Sequence, residues 1–219
     1  MFVTFEGIEG CGKSTQAKLL CRWLEHAGFE VLLSKEPGGS GLGRTLRTIL
    51  LDSSSEGIAP EAELFLYLAD RAQHVAEVLR KALQNGAVVL VDRFADSTLV
   101  YQGYGRGLDL EELRRLNHLA VQGLEPEMTI LLDLPAAQGL SRARSRNAEN
   151  GQSAREGRFE AEALSFHERI RRGYLELAKA EPGRFFVFDA SLSPHALHEE
   201  IRRAVAARFR LQAEPHRPL

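Results

Sequence analysis

Apolar positions along the chain keep two alternating rhythms. Short, nearly unbroken runs rich in β-branched and aromatic residues occupy 2–6 (FVTFE), 30–34 (EVLLS), 87–92 (AVVLVD), 128–134 (MTILLDL) and 185–189 (FFVFD). Runs with no polar alternation mark strands covered on both faces, as in a parallel sheet. Between them the apolar residues recur at helical spacing. Ala17, Leu20, Leu24 and Ala27 line one stripe of a helix expected from Lys13 to Ala27, with Gly28 as its stop. Leu64, Leu68, Val75 and Leu79 predict a long helix from Pro60 to Asn85, closed by Gly86, and Leu110, Leu113, Leu116 and Leu119 another ending near Gly123. The last helix begins where Ser193 caps and Pro194 takes the first turn, and it carries Leu197, Ile201, Val205 and Phe209. Strands alternating with helices imply right-handed crossovers, hence an α/β fold of three layers, α/β/α, around a five-stranded parallel sheet.

Composition narrows the picture without changing it. A chain of 219 residues, 44% hydrophobic and 26% charged, can bury one substantial core. No internal repeat or linker divides it, so a single domain over 1–211 is expected, with 212–219 (QAEPHRPL in context) as a frayed tail. The formal charge of −2, from 28 basic and 30 acidic residues, provides no overall field for nucleic acid, so none is expected as a partner. No apolar stretch approaches the roughly 20 residues that a bilayer needs, and the chain opens on a strand pattern with no charged, then apolar, leader. A cytoplasmic protein without a membrane partner is the expectation. The two cysteines, Cys11 and Cys21, fall on one loop and the helix after it, which does not indicate a disulfide framework.

The first strand runs directly into GIEGCGKS, residues 7–14, and the first helix follows. Gly7, Ile8, Glu9, Gly10, Cys11, Gly12, Lys13, Ser14 and Thr15 satisfy the phosphate-loop spacing in the strand–loop–helix context that gives the pattern structural meaning. Successive backbone N–H groups must turn inward around an anion, which needs glycine where a side chain would collide with phosphate or where φ is positive. The helix starting at Lys13 directs its positive end at the same point. Lys13 supplies a mobile cation for the β- and γ-phosphates, and the Ser14 hydroxyl is the expected magnesium ligand, with Thr15 beside it. The ligand is therefore expected to be a nucleoside triphosphate, ATP with Mg2+. Asp92 ends the third strand, where it would bring a carboxylate to the magnesium side, and Arg93 next to it suits a second phosphate.

A triphosphate site serves switches as well as transferases. Neither N-K-x-D nor D-x-x-G, which a GTPase switch would need, occurs in the chain. A small-molecule kinase instead needs an acceptor site and positive charge closing over the phosphoryl group in transit. The stretch 142–158 (RARSRNAENGQSAREGR) holds five arginines in the connection after the fourth strand, on the ligand-binding side of a doubly wound sheet. Its composition alone would make it a solvated loop; its place favours a lid that excludes water.

Several longer motifs then carry a resemblance. FEGIEGCGKSTQ, KEPGGSGLGRTLRTILL, YLADRAQH, VLVDRFADSTLVYQGYGRG, EPEMTILLDLP and GRFEAE, the last leading into a helix with YLELA, span nearly the whole chain. Together they resemble the bacterial thymidylate kinases, P-loop nucleoside monophosphate kinases that transfer the γ-phosphoryl group of ATP to dTMP. The resemblance implies a homodimer, which the long apolar helix from Pro60 would also suit. It places Glu9 near the acceptor sugar, Glu36 and Pro37 with Gly38 and Gly39 along the base pocket, and Arg47 and Arg93 on the 5′-phosphate. Tyr67 stands where the family has a phenylalanine stacking on thymine; Arg71 would meet a thymine carbonyl, Ser97 and Thr98 the base edge. Tyr101 would crowd the ribose 2′ position, and Gln102 would contact the base or sugar. Where the phosphate loop itself lacks an arginine, as between Gly7 and Cys11, the family draws the catalytic arginine from the lid, with Arg146, Arg155 and Arg158 as candidates here. The family's lid pattern D-R-x-E is met as G-R-F-E, with Gly157 in the place of the aspartate.

Overall fold

A computed structural model describes residues 1–52, 55, 57–150 and 157–211, apart from the side chains of 147–150. Five strands, β1 (Phe2–Glu6), β2 (Val31–Lys35), β3 (Val88–Asp92), β4 (Met128–Asp133) and β5 (Phe185–Asp189), form one wholly parallel sheet in the order β2-β3-β1-β4-β5. The five apolar runs are thus the five strands, shifted by one residue at four of their ten ends. β1 is buried along its whole length at the centre of the sheet, as its lack of alternation requires. Phe5, Leu90 and Ile130 are fully buried; side chains of this size contribute about 1.5–3 kcal/mol each.

The helices are α1 (Lys13–His26), α2 (Gly41–Leu51), α3 (Pro60–His74), α4 (Arg80–Gln84), α5 (Ala95–Thr98), α6 (Leu110–Val121), α7 (Ala136–Asn150), α8 (Leu164–Ala180) and α9 (Pro194–Phe209). The helix expected from Pro60 to Asn85 is continuous but carries a π-helical turn at Val75–Leu79 between α3 and α4. That turn sets Val75 and Leu79 together against Phe2, Val89, Val91 and Phe94. A second π-helical segment, Leu99–Gly105, follows α5 and carries Tyr101 and Gln102. Ser193 caps α9 by accepting from Ala196 N–H.

Two expectations are corrected and one element is added. Leu119 is 74% exposed, because a spacing of three drifts off a 3.6-residue period and α6 buries Leu113, Ala120 and Val121 instead. Residues 142–150 of the arginine-rich stretch are not loop but the second half of α7. Ala136, Leu140 and Ala143 form a buried stripe at helical spacing, small enough to let the helix lie close to its support. α2 is an addition: Ser40 accepts from Gly43 N–H as its cap, and Leu46 and Leu50 are its buried face. Arg155 and the tail 212–219 lie outside the described residues.

Candidate active site

The phosphate loop leaves β1 and returns as α1. Gly7, Gly10 and Gly12 take φ values of 136°, 71° and 99°, which only glycine adopts freely. At Gly10 an added Cβ would also lie 2.1 Å from the Gly139 carbonyl oxygen of α7, so the loop and α7 pack backbone to backbone. Lys13 folds its ammonium onto the loop's own carbonyls, 3.1 Å from Gly7 O and 2.8 Å from Ile8 O. Burial pushes the Cys11 thiol up, which makes it a loop filler and no nucleophile. Ser14 and Thr15 face solvent.

The strand pairing brings Asp92 to this loop. Phe5 of β1 lies opposite Asp92 of β3, and the Ser14 hydroxyl donates to Asp92 Oδ2. A hydroxyl and a carboxylate in contact, one exposed and one half-buried, fit the hard oxygen preference of magnesium, which would take its other ligands from phosphate and water. Among the described residues no group of three or more His, Cys, Asp or Glu side chains is spaced for a metal.

Arg93 follows Asp92 with φ of 71°, a conformation that costs a non-glycine residue about 1–3 kcal/mol and that clusters at functional positions. Its guanidinium donates to Gly7 O (3.1 Å), Ser97 Oγ (3.3 Å), the Tyr174 hydroxyl (3.2 Å) and Glu9 Oε1 (3.0 Å), and lies 4.8 Å from the Tyr101 ring centre. The Tyr101 hydroxyl donates to the same oxygen of Glu9, and His167 Nδ1 meets the other at 3.0 Å. Burial works against a charged Glu9. The His167 hydrogen bond, then Arg93 and Lys13, outweigh it and hold the carboxyl well below the usual range. Ser97 also donates to Glu6, a fully buried carboxylate that burial, and Asp96 after it, push up.

A second cluster lies behind the E-P-G-G loop. Arg71, 1% exposed, donates to Glu36 Oε2 (2.9 Å), Thr98 Oγ1 (2.7 Å), Asn117 Oδ1 (2.7 Å) and Phe94 O (2.9 Å). Glu36 Oε1 faces His74 Nδ1 at 2.9 Å, and the other ring nitrogen of His74 reaches Ser34. Removing one member of such a buried pair costs about 3–5 kcal/mol, because a charge is left without compensation. Arg47 donates to Pro37 O and packs its chain on Gly38. Asp70 accepts from Gly38 N–H, and burial, helped by the Glu36 charge, pushes it up to about 6.

The third cluster closes over the first two. Glu63 on α3, 1% exposed, receives Arg158 (2.7 Å), Gln102 (2.8 Å) and Arg106 (3.3 and 3.4 Å). Arg158 also donates to Leu50 O at the end of α2 and spreads over the Phe159 ring at 4.6 Å, with its Nη2 buried and without a partner among the described residues. Phe159 meets Tyr101 edge-on, at 5.3 Å between ring centres. Arg146 on α7 is 55% exposed and lies 3.5 Å from Glu160.

Glu9, Arg93, Ser97 and Tyr101 are therefore brought together beside the phosphate loop, and Glu36, Arg71 and Thr98 behind the E-P-G-G loop. Ser97 and Thr98 face protein groups, and Gln102 is turned to Glu63. Tyr67 is half-buried on α3, and burial raises its hydroxyl. Glu63, Arg106, His167 and Tyr174 escaped the sequence reading. Arg106 ends the YQGYGRG stretch and Tyr174 opens YLELA, where neither drew a role; Glu63 and His167 sit in no quoted motif, and a glutamate in the first turn of an apolar helix was the one available signal for Glu63.

The profile of the family described as thymidylate kinase matches residues 5–201. The chain is 59% identical to a thymidylate kinase of Nitratidesulfovibrio vulgaris (strain Miyazaki F), covering 98% of this chain and 100% of that one. It is 58% identical to a thymidylate kinase of Desulfovibrio desulfuricans over 96% of this chain and 97% of that one. The crystal structure of thymidylate kinase from Ehrlichia chaffeensis superposes with a TM-score of 0.74 at 30% identity, over 94% of this chain and 97% of that chain.

Proposed function

The chain belongs to the thymidylate kinase family and phosphorylates dTMP to dTDP, and from that premise we propose in-line transfer from ATP between two faces of residues 7–15. Arg93 carries this reading: one guanidinium reaches both a phosphate-loop carbonyl and the Glu9–Tyr101 pair, at the border of a triphosphate cradle. Fixed positive charge at that border stabilises what develops between donor and acceptor oxygens.

On the donor side, the backbone N–H groups of 7–12 would hold the β-phosphate, and Lys13 would leave the carbonyls of Gly7 and Ile8 for the β- and γ-phosphates. Ser14 and Asp92 would hold magnesium, which when bound neutralises charge on those phosphates. On the acceptor side, Arg93 and Arg47 would take the 5′-phosphate, Tyr67 would stack on the base, and Tyr101 would fill the space of a ribose 2′-hydroxyl. Arg71 donates four hydrogen bonds to protein, leaving one of a guanidinium's five N–H groups for a base carbonyl. Glu36 fixes that orientation. Arg158 and Arg146 stand as the described lid arginines able to reach the phosphoryl group, within a lid of about 142–158 on one domain of 1–211. Exposed Phe65 on α3 (60%) and Leu119 on α6 (74%) lie on packed helices and support a homodimer. Among the described residues no helix is long and apolar enough to cross a membrane.

A coupled assay with ATP, magnesium and a panel of nucleosides and nucleoside monophosphates tests the reading. Turnover is expected with dTMP and is expected to vanish on chelation. An inert dTMP beside a phosphorylated nucleoside would overturn it.

A further inference from the structure

The strained backbone of Arg93 is tied on both sides to the end of β1. Its own N–H donates to Phe5 O at 3.0 Å, and the next N–H, that of Phe94, donates to Glu6 Oε1 at 2.8 Å. The other oxygen of Glu6 faces two hydroxyls, Ser97 at 2.7 Å and Tyr174 at 2.8 Å. Arg93 Nη1 donates to those same two hydroxyl oxygens, at 3.3 and 3.2 Å. A guanidinium accepts nothing, so each hydroxyl must show Arg93 a lone pair and send its proton elsewhere. Glu6 Oε2 lies within reach of both protons. The two hydroxyls are also 2.9 Å apart, but a proton spent between them is a donor taken from a fully buried carboxylate. We propose that Glu6 is a positioning residue for the acceptor's 5′-phosphate: by taking the protons of Ser97 and Tyr174 it turns both oxygens onto Arg93 and fixes the guanidinium at the border of the phosphate loop.

Burial keeps Glu6 from acting on a substrate directly. It is 0% exposed, and its partner on β4 is the apolar Leu131, so its influence passes through the groups it holds. The charged and titratable groups that face it come from three places. Arg93 follows β3, Tyr174 comes from α8, and Asp96 from α5 is itself paired with Arg184 at 2.7 and 2.9 Å. The consequence is a division of labour between two carboxylates around one guanidinium. Glu9 takes Nη2 directly, on the side of Tyr101, whereas Glu6 governs Nη1 through two hydroxyls on the opposite, buried side.

The inference rests on the reading of Arg93 as the ligand of the 5′-phosphate. Glu6→Gln keeps the size and the acceptor for Phe94 N–H, but sets an amide NH2 where the two hydroxyl protons went, so one of them must turn back toward Arg93. Equilibrium titrations with dTMP and with thymidine, which lacks only the phosphate, isolate the effect. They are run at pH 8, above the value of about 7 to which burial, and Asp96 after it, push Glu6. In Glu6→Gln the affinity for dTMP and kcat are each expected to fall at least about tenfold, while the affinity for thymidine and the KM for ATP stay within about twofold. A purely structural glutamate would lower the melting temperature and move both affinities together or neither. An unchanged ratio of the two affinities would therefore overturn the proposal. Should Glu6→Gln fail to fold, Tyr174→Phe removes one of the two oxygens and leaves Ser97 and Phe94 on the carboxylate. The ratio should then fall at least about threefold, and a constant ratio would again overturn the proposal. Equal affinities for dTMP and thymidine in the unaltered enzyme would remove the premise, and the proposal with it, and that failure shows without any variant.

Discussion

In the phosphate loop the working groups are neighbours in the chain and mostly backbone: residues 7–15, turned inward by three glycines and capped by Lys13 and Ser14. Around Glu9 and Glu63 the clustered groups are side chains from α3, the end of β3, α5, the π-helical segment Leu99–Gly105, the turn at 158–159 and α8, with partners as much as 158 positions apart. The first region is a local conformation that any P-loop sequence can form. The second exists only when the sheet, α3, the π-helical segment and the lid have all docked. Its charges are buried against one another, so each depends on its partners for stability as well as for function.

The contrast makes different demands on mutation. Lys13→Ala should lower kcat by roughly 10³-fold while changing folding stability by about 1 kcal/mol or less, since the ammonium gives up two carbonyl contacts and a long one to Cys11 Sγ, and Glu9 keeps Arg93 and His167. Steady-state kinetics beside chemical denaturation checks both. In the lid cluster the two effects should come together: Arg158→Ala is expected to lower kcat at least about 100-fold and to destabilise by about 1–3 kcal/mol, because among the described residues Glu63 then keeps Arg106 and Gln102 alone. Arg146→Ala, at an exposed position, should stay within about a few fold. A larger loss at 146 than at 158 would reverse the order of the two arginines and detach the lid cluster from catalysis.

Glu63→Gln keeps the size and removes the charge. A drop of about tenfold in kcat with the ATP constants unmoved is the expected outcome, since the carboxylate draws Arg158 and Arg106 onto α3. The smallest effect concerns stability alone. Asp70 titrates at 3.8 when unfolded and at about 6 in the fold, so its contribution is fully present below pH 3.8 and is lost as pH rises through about 6. Asp70→Asn keeps the acceptor for Gly38 without the charge. Its unfolding free energy should exceed that of the parent by about 1–3 kcal/mol above pH 6 and converge with it near pH 4, measured by denaturant titration across that window.

The same contrast explains what the chain disclosed in advance. The five strands and the phosphate loop were legible because burial on both faces and a local backbone turn leave contiguous patterns, as in FVTFE and GIEGCGKS. Arg93 and Asp92 were legible because they end a strand. The family's motifs named Glu36, Arg71 and Tyr101, yet not that Arg71 spends four donors on protein. Glu63 left only its place in the first turn of an apolar helix, and His167 no trace, since their meaning lies in partners that only the tertiary fold supplies. The helical half of the arginine-rich stretch, 142–150, was hidden because among its described side chains only Ala143 is buried, which leaves no larger apolar residue to mark a helix face.

A ternary crystal structure with dTMP, magnesium and a non-hydrolysable ATP analogue addresses the central claim most directly. The triphosphate should lie along residues 7–15 and the 5′-phosphate of dTMP within hydrogen-bonding distance of Arg93, with its sugar against Tyr101. A pyrimidine nucleotide bound away from Arg93 and Tyr101 would contradict the account.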